Sequence, residues 1–202
     1  MPWDCKYAVI DKYVKMAGAT VFVESGTCHG NTPARLEDKF DQLHTIEVDT
    51  ALYEGACARF KDHPKIKVWK GDSAVVLPEV LKQINETCLF WLDGHYSGPG
   101  TGLAETGECP VVQELDAIYR HPVKNHVILI DDAWSFGVIK GYPAPEEIER
   151  MAASKDPTVR METNVQRLST GLLAGMNLIT NRFTGPGRLG IQSMYLHLGS
   201  GD

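Results

Sequence analysis

Carboxylates stand at or just beyond the ends of several short apolar runs in this chain: Glu24, Glu47, Asp72, Asp93, Asp131 and Asp132. The first belongs to Val21-Phe22-Val23-Glu24-Ser25-Gly26-Thr27-Cys28-His29-Gly30, where Gly26 and Gly30 allow a tight turn and a close approach to a ligand. The loop spacing is Gly-x-x-x-Gly, not the Gly-x-Gly-x-x-Gly of a dinucleotide site. A carboxylate at its mouth would repel a pyrophosphate but suits the ammonium of an amino acid. Glu47 follows about 20 residues after the glycine loop, where an acid can hold two ribose hydroxyls. Asp72, in Gly71-Asp72-Ser73, is placed to accept from an adenine amino group. Taken singly, each is equally a strand-end charge or a common turn. Their recurrence at the ends of successive strands argues for one site.

A second group serves chemistry of another kind. Asp93 closes one apolar run, Asp131-Asp132 another, and oxygen-only donors at that density suit a hard cation such as Mg²⁺. A metal-bound hydroxyl has a lowered pKa and a fixed orientation. His95, two residues past Asp93, is the candidate general base, with an ordinary imidazole pKa near neutrality. Tyr96 to Glu108, with Gly94 before it and Gly98, Gly100, Gly102 and Gly107 within it, reads as a mobile substrate loop. Trp134 is a candidate wall of the acceptor pocket.

The elements that must position these residues alternate. Tyr7, Ile10, Tyr13, Val14 and Ala17 recur at helical spacing from Lys6 to Ala17. Strands are expected at Thr20–Glu24, Thr45–Val48, Ile66–Trp69, Cys88–Leu92 and Val127–Ile130. Between them come helices: one opening with Thr32 as N-cap and Pro33 at its first position, one over Ala51–Phe60, one holding Leu81 and Ile84, and one over Pro110–Tyr119. Apolar strands alternating with helices predict a Rossmann-like, doubly wound, mostly parallel sheet covered on both faces. The whole chain, 1–202, reads as one domain: an N-terminal helix over 1–19, a core over 20–134, and a less regular end over 135–202. In that end a helix is expected at Glu146–Ala153, and strands at Val159–Leu168 and Ile191–Leu198.

Composition narrows the function classes. A net charge of −6 and a pI of about 5.6 argue against a nucleic-acid footprint. Five scattered cysteines without a Cys-x-x-Cys pair fit reduced thiols in a cytoplasmic protein. No apolar run approaches the ~18 residues of a membrane span.

Over Val21 to Trp134 the chain resembles the class I S-adenosylmethionine-dependent methyltransferases. The resemblance is carried by Glu-Ser-Gly-Thr-Cys-His-Gly, Ile-Glu-Val-Asp, Lys-Gly-Asp-Ser, Phe-Trp-Leu-Asp-Gly-His-Tyr and Ile-Leu-Ile-Asp-Asp-Ala. Within that class it looks most like the small metal-assisted O-methyltransferases of the catechol and macrocin types. The resemblance implies that Glu24, Gly26, Thr27 and Gly30 cradle the methionine end of S-adenosylmethionine. Glu47 would hold the ribose, Asp72 and Ser73 the adenine, and Asp93 would stand between cofactor and acceptor. It further implies Mg²⁺ on Asp93, Asp131 and Asp132, catalysis by His95 with Asp93, and a sugar-like or catechol-like acceptor on a chain that is a possible homodimer. Cys28 departs from the family, many of whose members carry a glycine there. The alternatives are an NAD(P)-dependent oxidoreductase or epimerase on a similar fold, a non-catalytic cofactor-binding relative, and an iron site using His95 with the aspartates.

Overall fold

The computed structural model describes residues 7, 10–15, 18–124, 126–131, 135–155, 160–167, 177–184 and 188–195. Asp132 and Trp134 lie outside the described residues, as does Ala17. Residues 10–15 form a first helical stretch, α1. The elements that follow are β1 (Val21–Ser25), α2 (Asn31–Leu36), β2 (Gln42–Glu47), α3 (Thr50–Arg59), β3 (Ile66–Lys70), α4 (Ser73–Leu81), β4 (Cys88–Leu92), α5 (Val111–Arg120), β5 (Val127–Ile130), α6 (Pro145–Lys155), β6 (Arg160–Arg167), β7 (Asn177–Thr184) and β8 (Arg188–Tyr195). A 3₁₀ turn at Glu37–Lys39 extends α2.

The strands make one sheet in the order β3-β2-β1-β4-β5-β8-β7-β6. β1 to β5 pair in parallel, β8 joins β5 in parallel, and β7 runs antiparallel to both β8 and β6. This is the Rossmann-like, mostly parallel α/β fold expected from the alternation of apolar runs and helices. Two apolar clusters cover its two faces. One packs Val23, Ile46, Phe90 and Ile128 against Leu77 and Val80 of α4, Leu115 and Ile118 of α5, and Ile148 of α6. The other packs Phe22, Leu43, Leu89 and Trp91 against Ile10, Leu36, Ala56 and Phe60. Adjacent strand residues point to opposite faces, so a strand buried on both sides must be apolar throughout, as Cys88–Leu92 is.

Several boundaries differ from the sequence expectation. α2 begins at Asn31, capped by the backbone of Gly30 at φ 73°, not by the Thr32 side chain. Pro33 therefore sits at the third helical position, still in the first turn where no N–H is needed. β2 starts at Gln42, three residues before the expected Thr45, because the polar His44 and Thr45 are themselves buried. Burial of the His44 ring is matched by a partner: Trp69 Nε1 donates to His44 Nδ1 at 3.1 Å. β7 has no counterpart among the expected strands, and β8 lies at Arg188–Tyr195 where Ile191–Leu198 is expected.

Strand order reverses between β1 and β4, the place where an open α/β sheet forms its ligand crevice. There the loops after the two strands touch. A Cβ on Gly26, at φ 84°, would lie 2.2 Å from the Asp93 carbonyl oxygen, so no other residue fits without moving backbone.

Candidate functional site

A cavity of about 260 Å³ opens at this reversal, walled by the loop after β1, the ends of β2 and β3, Asp93–His95 and part of the 97–107 loop. Gly26, Thr27, Glu47, Asp72, Ser73, Asp93 and His95 all line it. Glu24, Gly30 and Asp131 do not.

The β1 loop is held by the end of β2. Both Gly26 and Thr27 donate their backbone N–H to the Ile46 carbonyl, at 2.9 and 3.2 Å. Thr27 Oγ1 lies 2.6 Å from Thr45 Oγ1. Cys28 takes φ 48°, the left-handed conformation that glycine adopts most readily, and donates its N–H to Glu47 Oε2 at 2.7 Å. Here a cysteine keeps the turn that a glycine would make, and the bond to Glu47 offsets some of the ~1–2 kcal/mol that conformation costs. The other Glu47 oxygen accepts the Asp49 N–H at 2.9 Å. A carboxylate offers about four acceptor positions, so the buried Glu47 retains capacity for further donors.

Glu24 is buried on the opposite face of the sheet from Ser25, accepting from Thr45 Oγ1 at 2.8 Å. It does not line the cavity, since a β-strand turns alternate side chains to opposite faces. Gly30 stands behind the cavity: a Cβ there would meet the Phe60 ring at 2.6 Å. Asp72 caps α4 by accepting from Ala74 N–H at 2.9 Å. Its second oxygen takes both the N–H and the hydroxyl of Thr106, at 3.2 and 2.6 Å, which latches the glycine-rich loop down. The loop also touches β2: a Cβ on Gly102 would meet Val48 Cγ1 at 2.4 Å. Its own ends are joined by Tyr96 N–H to Glu108 O at 2.8 Å.

At the end of β4, Asp93 Oδ2 accepts from Trp91 Nε1 at 3.2 Å, and Oδ1 lies 3.9 Å from His95 Nε2. The His95 side chain is 8% exposed and packs beside the Tyr142 ring, centroids 6.1 Å apart. Asp131 is buried at the end of β5, its N–H bonded to Leu92 O at 3.0 Å. Among the described residues no three His, Cys, Asp or Glu side chains come together as a metal site, and Asp132 is outside them.

Sequence reasoning missed Thr106, Tyr142 and Glu114. The first two sit in segments without periodicity. Glu114 carries a signal: it is a charge on the core-facing stripe of α5, between Val111 and Ile118.

No family model matches the chain, and no curated protein matches it in sequence. Solved structures match it in shape. The O-methyltransferase TomG from Streptomyces achromogenes, involved in tomaymycin synthesis and solved in complex with S-adenosylmethionine, is 14% identical with a TM-score of 0.56, covering 78% of this chain and 71% of that one. A putative caffeoyl-CoA O-methyltransferase from Staphylococcus aureus is 12% identical with a TM-score of 0.51, covering 81% and 78%. The 23S rRNA methyltransferase ErmE is 16% identical with a TM-score of 0.52, covering 87% and 66%. At such identities the likeness is one of fold, and proteins with quite different acceptors share it.

Proposed function

We propose that this chain binds S-adenosylmethionine in the cavity at the β1–β4 reversal and transfers its methyl group to a hydroxyl oxygen of a small molecule. One observation carries the reading: the N–H groups of Gly26, Thr27, Cys28 and Gly30 in the β1 loop are already engaged. A pyrophosphate is held by free N–H groups of such a loop and by the helix N-terminus behind it. Here the N–H groups of Gly26 and Thr27 go to Ile46 O, and that of Cys28 to Glu47. What the cavity presents instead is acceptors, the carboxylates of Glu47, Asp72 and Asp93, with no Lys or Arg among the described lining residues. Acceptors suit ribose hydroxyls, an adenine amino group and the positive charges of an amino-acid sulfonium. The nicotinamide alternative is disfavoured by the same facts.

The cofactor fits this donor set, with one requirement on the chain. Pockets for ligands of its size run from about 300 to 1,000 Å³, and the cavity falls just short of that. Ser97, Thr101, Gly102 and Ala104 form the wall that closes it, so the 97–107 loop must move outward to admit the whole molecule. In that movement Asp72 exchanges Thr106 for the adenine amino group.

When bound, the cofactor supplies an electrophilic methyl group. The chain positions the acceptor oxygen for in-line attack. His95 takes the hydroxyl proton on its imidazole, and Asp93, 3.9 Å away, balances the charge that forms in a water-poor place. The three-carboxylate set expected to hold Mg²⁺ includes Asp132, outside the described residues, and no step is assigned to a cation. A small-molecule acceptor is favoured over RNA by the net charge of −6 and by a cavity without cationic side chains among its described lining.

The test is release of S-adenosylhomocysteine from labelled cofactor across a panel of sugar, catechol and RNA acceptors, with and without chelator. Turnover on a hydroxylated small molecule is expected. Turnover on RNA alone would contradict the acceptor assignment, and its abolition by chelation would return the aspartates to a metal.

A further inference from the structure

The buried residues of α5 are Val111, Glu114, Leu115 and Ile118, one helical stripe. Three of them belong to the apolar cluster under the sheet. The fourth is a carboxylic acid that is 1% exposed. Burial pushes its pKa up, relieved in part by hydrogen bonds from the Ser73 and Ser25 hydroxyls and by the nearby His95. One carboxyl oxygen, Oε1, is buried without a hydrogen-bond partner among the described residues. A buried acid with an unmatched oxygen is destabilising, and an aliphatic side chain would suit this stripe better.

What the acid holds explains its place. Ser25 is the last residue of β1, and its hydroxyl also accepts the Asp93 N–H at 3.2 Å. Ser73 is the first residue of α4, directly after Asp72. Both hydroxyls lie under Gly94: a Cβ there would be 3.1 Å from each oxygen. Through these two serines Glu114 is linked to the end of β1, the start of α4 and the Asp93–His95 segment. All three border the cavity.

We infer that Glu114 is a positioning residue that sets the floor of the cavity through Ser25 and Ser73, at the expense of stability. Only its ligand readout rests on the cofactor reading; the geometry stands without it. A residue that merely filled the core would raise or lower stability and binding together. Glu114 separates them.

The experiment compares wild type with Glu114→Met and Glu114→Gln by thermal denaturation, by calorimetric titration of S-adenosylhomocysteine, and by hydrogen exchange at the Asp93 amide without ligand. For Glu114→Met the melting temperature holds or rises, while affinity falls by about 5- to 150-fold, the range for an unmatched buried polar group. Glu114→Gln, which keeps an acceptor for one serine, falls between. The Asp93 N–H is shared between the Ser25 carbonyl at 3.1 Å and the Ser25 hydroxyl at 3.2 Å, so freeing that hydroxyl lets the amide exchange faster in Glu114→Met, and by less in Glu114→Gln. Should Glu114→Met fail to fold, Glu114→Gln decides the matter on the same readouts. Unchanged exchange at Asp93 in Glu114→Met, or a parallel loss of stability and affinity, would overturn the inference. If wild type binds no S-adenosylhomocysteine, the cofactor reading fails, and the exchange rates still decide the role of Glu114.

Discussion

On the β1–β3 side of the cavity the N–H groups of Gly26, Thr27 and Cys28 and both oxygens of Glu47 are engaged, whereas the β4–β5 side is tied down at few points. The first wall is cross-linked through Ile46 O, Glu47 and the Thr27–Thr45 hydroxyl pair. On the second, the 97–108 loop bonds chiefly to itself, and Thr106 to Asp72 is its hydrogen-bonded tie to the facing wall. Gly98, Gly100 and Gly107 there have positive φ with open space around them. The glycine-rich loop on this side also carries an exposed apolar group, Leu103 at 59%. A fixed wall suits a ligand that never varies, and an adjustable one suits entry of cofactor and choice of acceptor. That division gives each wall its own failure.

The largest effect is expected on the β4–β5 side. His95→Ala should lower the maximal rate by about 10²–10⁴-fold while S-adenosylhomocysteine affinity stays near wild type. Near-normal turnover in single-turnover kinetics would make His95 structural. Next comes the fixed wall. Glu47→Ala removes the anchor of Cys28 and Asp49 together with the proposed ribose contact, and should weaken S-adenosylhomocysteine by about 1–3 kcal/mol in calorimetry. An unaltered affinity would mean that Glu47 only braces the loop.

How far these two walls can be read from the sequence follows the same division. Glu47, Asp72 and Asp93 are legible because each stands at the end of a strand, and strand ends in a doubly wound sheet converge on one crevice. Gly26 is legible for its spacing, although the reason for it, contact with the Asp93 carbonyl, is tertiary. Glu24 is expected at the mouth of the loop and is buried against Thr45 outside the cavity lining, since the face a side chain takes is not specified by a single segment. Thr106 gives no such sign: its partner is 34 residues away, across a loop without periodicity. Glu114 is obscured by a good helical pattern, in which one acid reads as noise.

Acid should loosen both walls. His44 in β2 and His126 before β5 are each pushed down to about 4, chiefly by burial. His126 accepts the Cys88 N–H at Nδ1 and faces His121 Nδ1 through Nε2 at 3.0 Å, while His121 Nε2 donates to Leu81 O and Ile84 O. That chain is built for a neutral His126. Folded values below the unfolded 6.5 mean that the unfolded chain binds protons first, so stability is full above 6.5 and falls as pH drops toward 4. Each ring should cost on the order of 3 kcal/mol of stability across that window, read by denaturant titration. A flat profile would show the rings charged without cost.

The smallest effect concerns the latch. Thr106→Val should remove the shorter of the two bonds to Asp72, leaving the Thr106 N–H, and speed association of S-adenosylhomocysteine a few-fold in stopped-flow mixing, with amide exchange in residues 97–107 rising in parallel. Slower association would mean that Thr106 helps build the site instead of closing it.

The most direct measurement of the central claim is a pair of calorimetric titrations on wild type, one with S-adenosylhomocysteine and one with NAD. With its loop donors engaged and its carboxylates facing inward, the cavity should bind S-adenosylhomocysteine at one site and give no heat with NAD. Saturable NAD binding with none of S-adenosylhomocysteine would contradict the account.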